Sequence, residues 1–209
     1  MKRNAKNLLR TFTMSSAILF ALYSCNKKTE TVDNNAMVTD TTAQSTDSTA
    51  TSASPVAALT DAQIASIAVT ANQIDIDYAK IAQGKATNPD VKMFAETMAK
   101  DHQSIIDQAV ALATKLNLTP DNNNDTTKSL LDGAAKEKAK LEATAKGTDF
   151  DKAYVDNEVA YHTSVVDVVD NTLIPNAQNA ELKKLLQSAS PLFKAHLDHA
   201  KKVQAELNK

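Results

Sequence analysis

The chain has 209 residues, of which 23 are Lys or Arg and 25 are Asp or Glu, so its formal net charge is −2. Nucleic-acid binding depends on clustered basic residues, and a mildly acidic chain without a basic run is a poor candidate for it. The single cysteine excludes an intramolecular disulfide. Only three glycines and no long alternating apolar pattern argue against a β-sheet.

Residues 1–24 have the form of a lipoprotein signal peptide. A basic start without acidic residues precedes an apolar run at residues 14–23, which is shorter than the about 20 residues of a transmembrane helix. The run ends in Leu22-Tyr23-Ser24-Cys25, which resembles a bacterial lipobox. We therefore expect cleavage before Cys25 and lipidation of its thiol. A secretory signal with an incidental cysteine, or an uncleaved anchor, is the alternative.

Residues 25–58 are predicted to form a disordered tether behind the lipidated Cys25. They consist largely of Thr, Ser, Asp, Asn and Ala, and such a composition buries too little apolar surface to offset its ordering entropy. A flexible segment of this kind reaches about 30 Å. We expect a cell-envelope protein that is lipid-anchored to the inner or outer membrane, with residues 59–209 folded in the periplasm or at the cell surface.

Residues 59–209 carry helical periodicity. Apolar residues recur three or four positions apart in four long segments and in a weaker, charge-rich fifth one that starts at Thr126 or Thr127 and ends near Gly147. The four long segments are predicted at 61–86, 89–117, 150–173 and 180–207.

Local signals mark the predicted helix ends. Thr60 with Gln63 has the form of a capping box, and Asn88 before Pro89 predicts the start of the second helix. Pro175 is expected to end the fourth segment, and Pro191 to bend the last one. Four apolar stripes must bury their faces together, so the predicted fold is all-α, a four-helix bundle with an additional crossover helix.

A candidate metal site follows from polar residues on these apolar faces. Asp75, His102, His162 and His196 each fall within three residues of the midpoint of their predicted helix, which places them within about 4 Å of a common level. Glu158 lies one turn before His162 on the same face. Three imidazoles and a carboxylate suit one transition-metal ion, Zn, Cu, Fe or Ni.

Each of these residues also has a purely structural interpretation. The three histidines can form a hydrogen-bonded polar layer that fixes the register of the bundle, and Glu158 with His162 can be a simple helix ion pair. Met98 is expected in the core and His199 at the rim rather than as a further ligand. Asp101 is expected to face solvent or to pair with a surface lysine.

Catalytic motifs are lacking. Ferritin-like di-iron enzymes use two Glu-x-x-His motifs, but Ala99, Val159 and Phe193 stand three residues before the histidines. No nucleophile has a convincing base, and no glycine-rich phosphate loop exists. We therefore expect a helical bundle that binds a metal ion or a small ligand in its core, or an envelope interaction module, rather than an enzyme. The alternative is a ferritin-like metal-dependent oxidoreductase or a metal-storage protein.

Several segments together resemble the bacterial envelope family called domain of unknown function 4142. They are DIDYAKIA at 75–82, ATNPDVKMFA at 86–95, MAKDH at 98–102, DFDKAY at 149–154 and SPL at 190–192. The resemblance spans about residues 60–205 and implies a ferritin-like four-helix bundle in the cell envelope, without a settled biochemical role. Where that family usually has Glu on the first helix, this chain has Asp75 and Asp77.

Overall fold

The structure is a computed structural model that describes residues 58–209. Over these residues it has five long helices and no strand, which confirms the predicted all-α class. The helices are α1 (Asp61–Lys85), α2 (Pro89–Lys115), α3 (Asp125–Ala143), α4 (Thr148–Val168) and α5 (Ala180–Leu207). The predicted signal peptide, Cys25 and the predicted tether up to residue 57 lie outside the described residues.

Four of the five long helices in the described part, α1, α2, α3 and α5, begin with a side-chain cap. Thr60 and Gln63 form the predicted capping box at α1. Asn88 lies directly before Pro89, and its side chain accepts hydrogen bonds from the first free backbone amides of α2. Asn124 and Asn179 cap α3 and α5 in the same way. Such caps satisfy amides that have no partner inside the helix. The capping predictions for α1 and α2 are therefore confirmed.

Several predicted boundaries were wrong. The first helix ends at Lys85, within one residue of its predicted end. The second helix ends earlier than predicted, at Lys115, and the third starts earlier, at Asp125, because Asn124 caps it, and ends at Ala143. Pro175 does not end the fourth segment. A π-helical turn (Val169–Leu173) and one α-helical turn (Ile174–Asn176) continue α4, and Pro175 lies in the first turn of the latter, where a missing amide is tolerated.

The described helices pack as a bundle in which α1 lies along α2 and α4 along α5. A three-residue connection, 86–88, joins α1 to α2, and the second half of α1 packs against the first half of α2, so the two are antiparallel. The α3 helix crosses over and packs mainly on α1. None of the helices in the described part is long and apolar enough to cross a membrane.

Two apolar clusters fill the bundle, one toward each end. One contains Phe94, Met98 and Tyr154, and the other contains Ile67, Ile105 and Phe193. Along α2, α4 and α5 the buried residues between the two clusters are polar, namely His102, Glu158, His162 and His196. The sequence therefore folds into two apolar halves separated by a polar layer at mid-height.

Candidate metal centre

The polar layer contains all five residues predicted as ligands. Each of the side chains is buried, with at most 3% of its residue surface exposed. The contributing residues are Asp75 on α1, His102 on α2, Glu158 and His162 on α4, and His196 on α5. Charged and polar side chains are rarely buried without hydrogen-bond or ionic partners. The distances between these five side chains therefore indicate whether they partner one another or a bound ion.

Three atoms in the layer form a nearly equilateral triangle. Nε2 of His102, Nε2 of His162 and Oδ2 of Asp75 lie 3.4 Å from one another in every pair. A tetrahedral ion with bonds of about 2.0–2.1 Å separates its ligand atoms by about 3.3–3.4 Å. The triangle therefore has the dimensions of one face of a zinc-type coordination tetrahedron.

The other ring nitrogen of His102 is held by Asn72. His102 Nδ1 lies 2.7 Å from Asn72 Oδ1, while Asn72 Nδ2 donates to the Ala68 carbonyl at 2.8 Å. Because the amide nitrogen is committed to Ala68, its oxygen faces the ring and His102 Nδ1–H must donate. In the neutral ring Nε2 then carries a lone pair directed at the triangle.

His162 is fixed in the same tautomer from within its own helix. Its Nδ1 donates to the Glu158 carbonyl oxygen at 3.1 Å, and Oε2 of Glu158 lies 3.5 Å from the same nitrogen. Its Nε2 is then also a lone-pair acceptor. Two imidazole lone pairs and a carboxylate oxygen thus face one another, and such an arrangement requires a shared proton or a cation.

His196 approaches the same pair from α5. Its ring centroid lies 5.1 Å from that of His102 and 5.5 Å from that of His162. Its Nε2 donates to Oδ2 of Asp101 at 3.1 Å, whereas Nδ1 is buried and has no hydrogen-bond partner among the described residues. One nitrogen from each of the three histidines lies within 4.8 Å of the others, so a third imidazole ligand is available.

Burial keeps the histidines neutral and the carboxyls protonated when no cation is bound. It lowers the pKa of His162 to about 4 and the pKa of His102 well below its usual value, with neighbouring imidazoles adding to both effects. Burial also raises the pKa of Asp75 to about 8 and that of Glu158 well above its usual value. Neutral imidazoles are the form that binds metal.

Glu158 supplies a second carboxylate beside the triangle. Both oxygens of Glu158 and both oxygens of Asp75 are buried without a hydrogen-bond partner in the described part of the chain, as is the Tyr154 hydroxyl one turn before Glu158. Asp75, Glu158 and His162 each offer a ligand atom within 4.8 Å of the other two. Orphaned buried oxygens of this kind fit a cation better than a closed hydrogen-bonded layer.

The remaining predicted residues have structural positions. Met98 is fully buried in an apolar cluster, and His199 packs edge-on against Phe94 with ring centroids 5.0 Å apart. Both were expected outside the site. The expectation that Asp101 faces solvent or pairs with a lysine was wrong, because it reaches across the helix interface to His196.

Sequence reasoning missed Asn72, although its position carried a signal. It lies three residues before Asp75 and four after Ala68, on the inner face of α1, and a buried amide there needs partners. Asp101 was considered only as a surface residue. His102, the next residue, points into the bundle, and Asp101 itself lies at the interface of α2 with α5, where it contacts His196.

One of three comparisons with known proteins found a match, and that match is to a protein family. No curated protein matches the chain, and no solved structure matches it. A family model described as Domain of unknown function (DUF4142) matches residues 45–203. This match covers most of the sequence and includes every residue of the candidate centre, so the chain belongs to the DUF4142 family.

Proposed function

We propose that this chain is a lipid-anchored cell-envelope protein whose helical bundle binds one divalent transition-metal ion. The ligands are His102, His162, His196 and Asp75. The observation that carries the proposal is the triangle of His102 Nε2, His162 Nε2 and Asp75 Oδ2, with 3.4 Å sides. The envelope location rests on the residues before the domain, namely the basic start, the short apolar run and Cys25.

The ligand set favours a metal of intermediate softness. Imidazole nitrogens with one carboxylate suit Zn, Cu, Fe and Ni, whereas Mg and Ca prefer oxygen ligands alone. Asn72 and the Glu158 carbonyl support this choice, because they hold both imidazoles in the tautomer that presents Nε2. A hydrogen bond from the ring nitrogen that does not bind the metal commonly orients a metal-binding histidine in this way.

Binding and retention of the ion is the proposed activity. Four helices contribute one ligand each, so the ion cross-links α1, α2, α4 and α5 at the middle of the bundle. An ion that binds only the folded state stabilises it in proportion to the logarithm of its concentration above Kd. The bundle is therefore expected to be more rigid and more stable when loaded.

A metal titration tests the proposal. The full chain, treated with chelator and then titrated with Zn²⁺ in a calorimeter, is expected to bind one ion per chain. His102→Gln should abolish this binding, and His199→Gln is the matched control, since His199 is partly buried on the same bundle but packs on Phe94. Circular dichroism of each variant establishes that it is folded. Equal binding by both variants would contradict the proposal.

A second function, metal-dependent oxidation or iron storage, is favoured by one observation. Asp75, Glu158 and His162 form an additional group of ligand atoms beside the three histidines, and two adjacent ions would convert the centre into a dinuclear one. The chain lacks Glu-x-x-His motifs. A second equivalent of Fe²⁺ bound per chain, together with oxidation of Fe²⁺ by oxygen or peroxide, would favour this function over binding of a single ion.

A further inference from the structure

An apolar channel runs along one half of the bundle. Its walls come from α1, α2, α3, α4 and α5, and most of the lining side chains are Ala, Val, Ile or Leu. On α2 the lining lies within residues 105–116, and on α5 within residues 182–193. At 1.5 Å per residue the channel is therefore about 16 Å long.

The inner end of the channel lies against the polar layer. Phe193 lines it and stacks on His102 with ring centroids 5.6 Å apart. The polar groups at this end are already committed, because Asn72 bonds His102 and Ala68, and the Tyr161 hydroxyl donates to the Ala71 carbonyl at 2.8 Å. Water needs two to four polar partners to occupy such a space, so the channel favours an apolar occupant.

A polar depression adjoins the channel between α2 and α5. Leu112 and Leu185 line both the channel and the depression. The other residues that line the depression include Glu181, Lys184 and Ser188. Glu181 is already paired with Lys115. Lys184 forms no ion pair with any residue of the described part, so its ammonium group is available to an anionic group placed beside the channel.

We propose that the channel binds a single-chain amphiphile with an acidic head, a fatty acid taken from the surrounding membrane lipid. The alkyl chain lies in the channel and the carboxylate lies at Lys184. One acyl chain spans half of a hydrocarbon core of about 30 Å, which matches the length of the channel.

A peptide helix does not fit the same space. With its side chains a helix is about 10–12 Å wide, whereas the channel is a narrow gap between helices that pack directly on one another. Half-buried alanines such as Ala68 and Ala109 line the walls and leave a narrow groove. A flexible, unbranched chain one carbon wide is the apolar ligand that such a groove accommodates. This inference rests on the proposed envelope location and does not depend on the proposed metal.

Calorimetric titration with dodecanoate tests the proposal, with butyrate as a probe that is too short. The full chain carrying Cys25→Ser and treated with chelator is expected to bind one dodecanoate and no butyrate. Ala109→Phe and Ala68→Leu fill the groove and should weaken binding about tenfold or more, since several methylenes lose their contacts. Ala205→Phe, at an exposed position near the other end of α5, is the control.

The head group is tested separately from the chain. Lys184→Glu should weaken dodecanoate binding by about two- to fivefold, as expected for a partly exposed ion pair, whereas Lys201→Glu, with the same change in charge, should not. Absence of saturable dodecanoate binding, or equal binding by the groove variants and the Ala205→Phe control, would overturn the proposal. If dodecanoate binds to the Cys25→Ser protein but not to the protein with Cys25 intact, the acyl group on Cys25 itself occupies the channel. That result would overturn the proposal that the fatty acid comes from the membrane lipid. None of these outcomes alters the Zn²⁺ stoichiometry, which tests the metal.

Discussion

Asn72 determines which nitrogen of His102 faces the centre of the bundle. Its amide is fixed by Ala68, so its oxygen accepts the Nδ1 proton of His102 at 2.7 Å and leaves Nε2 as a lone pair 3.4 Å from Asp75. An uncharged amide in an apolar helix face thereby controls the electronic state of a histidine on another helix.

Replacement of Asn72 is expected to change the His102 tautomer. In Asn72→Leu the Nδ1 proton loses its acceptor and Nε2–H can donate to Asp75 instead, so metal affinity should fall by about 10–100-fold. Nitrogen-15 NMR of the metal-free protein reports the tautomer directly. Asn171→Leu, also an amide position but exposed and donating to Asp167, serves as the control. An unchanged tautomer in Asn72→Leu would show that Asn72 does not orient the ring.

Asp75 is expected to make the stability of the metal-free protein depend on pH. Burial raises its pKa to about 8, whereas an unfolded Asp has a pKa of about 3.9. The folded state therefore retains a proton that the unfolded state has lost. This stabilisation is fully present below the unfolded pKa and disappears as the pH rises through the folded value. Glu158, whose pKa is also raised, contributes with the same sign.

The lowered pKa values of the histidines act in the opposite direction, mainly below the unfolded His value of about 6.5. Between pH 6.5 and 8 the unfolded histidines release their remaining protons and offset part of the loss, but the carboxyls dominate the slope, and Asp75 accounts for a loss of about 1–2 kcal/mol. Urea denaturation across this window measures it. Asp75→Asn should flatten the slope and Asp77→Asn should not. Rising stability over the window would contradict the account.

At the scale of helices, one carboxylate joins α4 to the α1–α2 connection. Asp151, buried in the first turn of α4, accepts from the amides of Thr87 and Asn88, each at 2.9 Å, and from the Thr87 hydroxyl at 2.6 Å. These bonds satisfy donors in a connection that has no secondary structure of its own. They also fix the level of α4, and with it the height of Glu158 and His162, relative to α1 and α2.

Removal of the Asp151 carboxylate should therefore destabilise the bundle. Asp151→Ala removes a buried carboxylate that accepts three hydrogen bonds from part-buried donors, and the expected cost is about 2–4 kcal/mol in the free energy of unfolding. Asp149→Ala, at an exposed position in the same turn, should change that free energy by less than about 0.5 kcal/mol. Chemical denaturation of the two variants measures the difference, and equal losses would refute the assigned role of Asp151.

Helical periodicity was sufficient to predict the elements and the level of the site. The midpoints of the predicted helices placed Asp75, His102, His162 and His196 together because 3.6 residues per turn fix both face and height. Errors of two residues at helix ends did not disturb this result. The continuation past Pro175 was not predictable, since a π-turn depends on packing that sequence periodicity does not express.

The orientation of individual side chains was not predictable either. Whether Asp101 faces water or His196 depends on the rotation of α2 against α5. Consecutive residues on a helix point in different directions, so His102 can lie in the core while Asp101 lies at the interface with α5. Likewise, the choice of His102 nitrogen depends on Asn72 from α1, thirty positions away in sequence. Sequence alone therefore supplied the candidate ligands but not their tautomers or partners.

At the scale of the whole molecule, the domain is expected to be attached to a membrane through Cys25. The motivating features are the basic start, the short apolar run and the lipobox-like Leu22-Tyr23-Ser24-Cys25. Cys25→Ala should block lipidation and release the processed chain from the membrane fraction, as seen by metabolic labelling with a fatty acid and by fractionation. A variant that stays membrane-bound with unchanged processing would exclude the lipoprotein interpretation.

The bundle as a whole is organised around its polar layer, which divides two apolar clusters and joins α1, α2, α4 and α5. Anomalous diffraction from a zinc-soaked crystal measures directly whether an ion occupies that layer. One peak is expected at about 2.0–2.2 Å from His102 Nε2, His162 Nε2 and an oxygen of Asp75. Anomalous peaks confined to the protein surface, with ordered water or a direct hydrogen bond between these atoms, would contradict it.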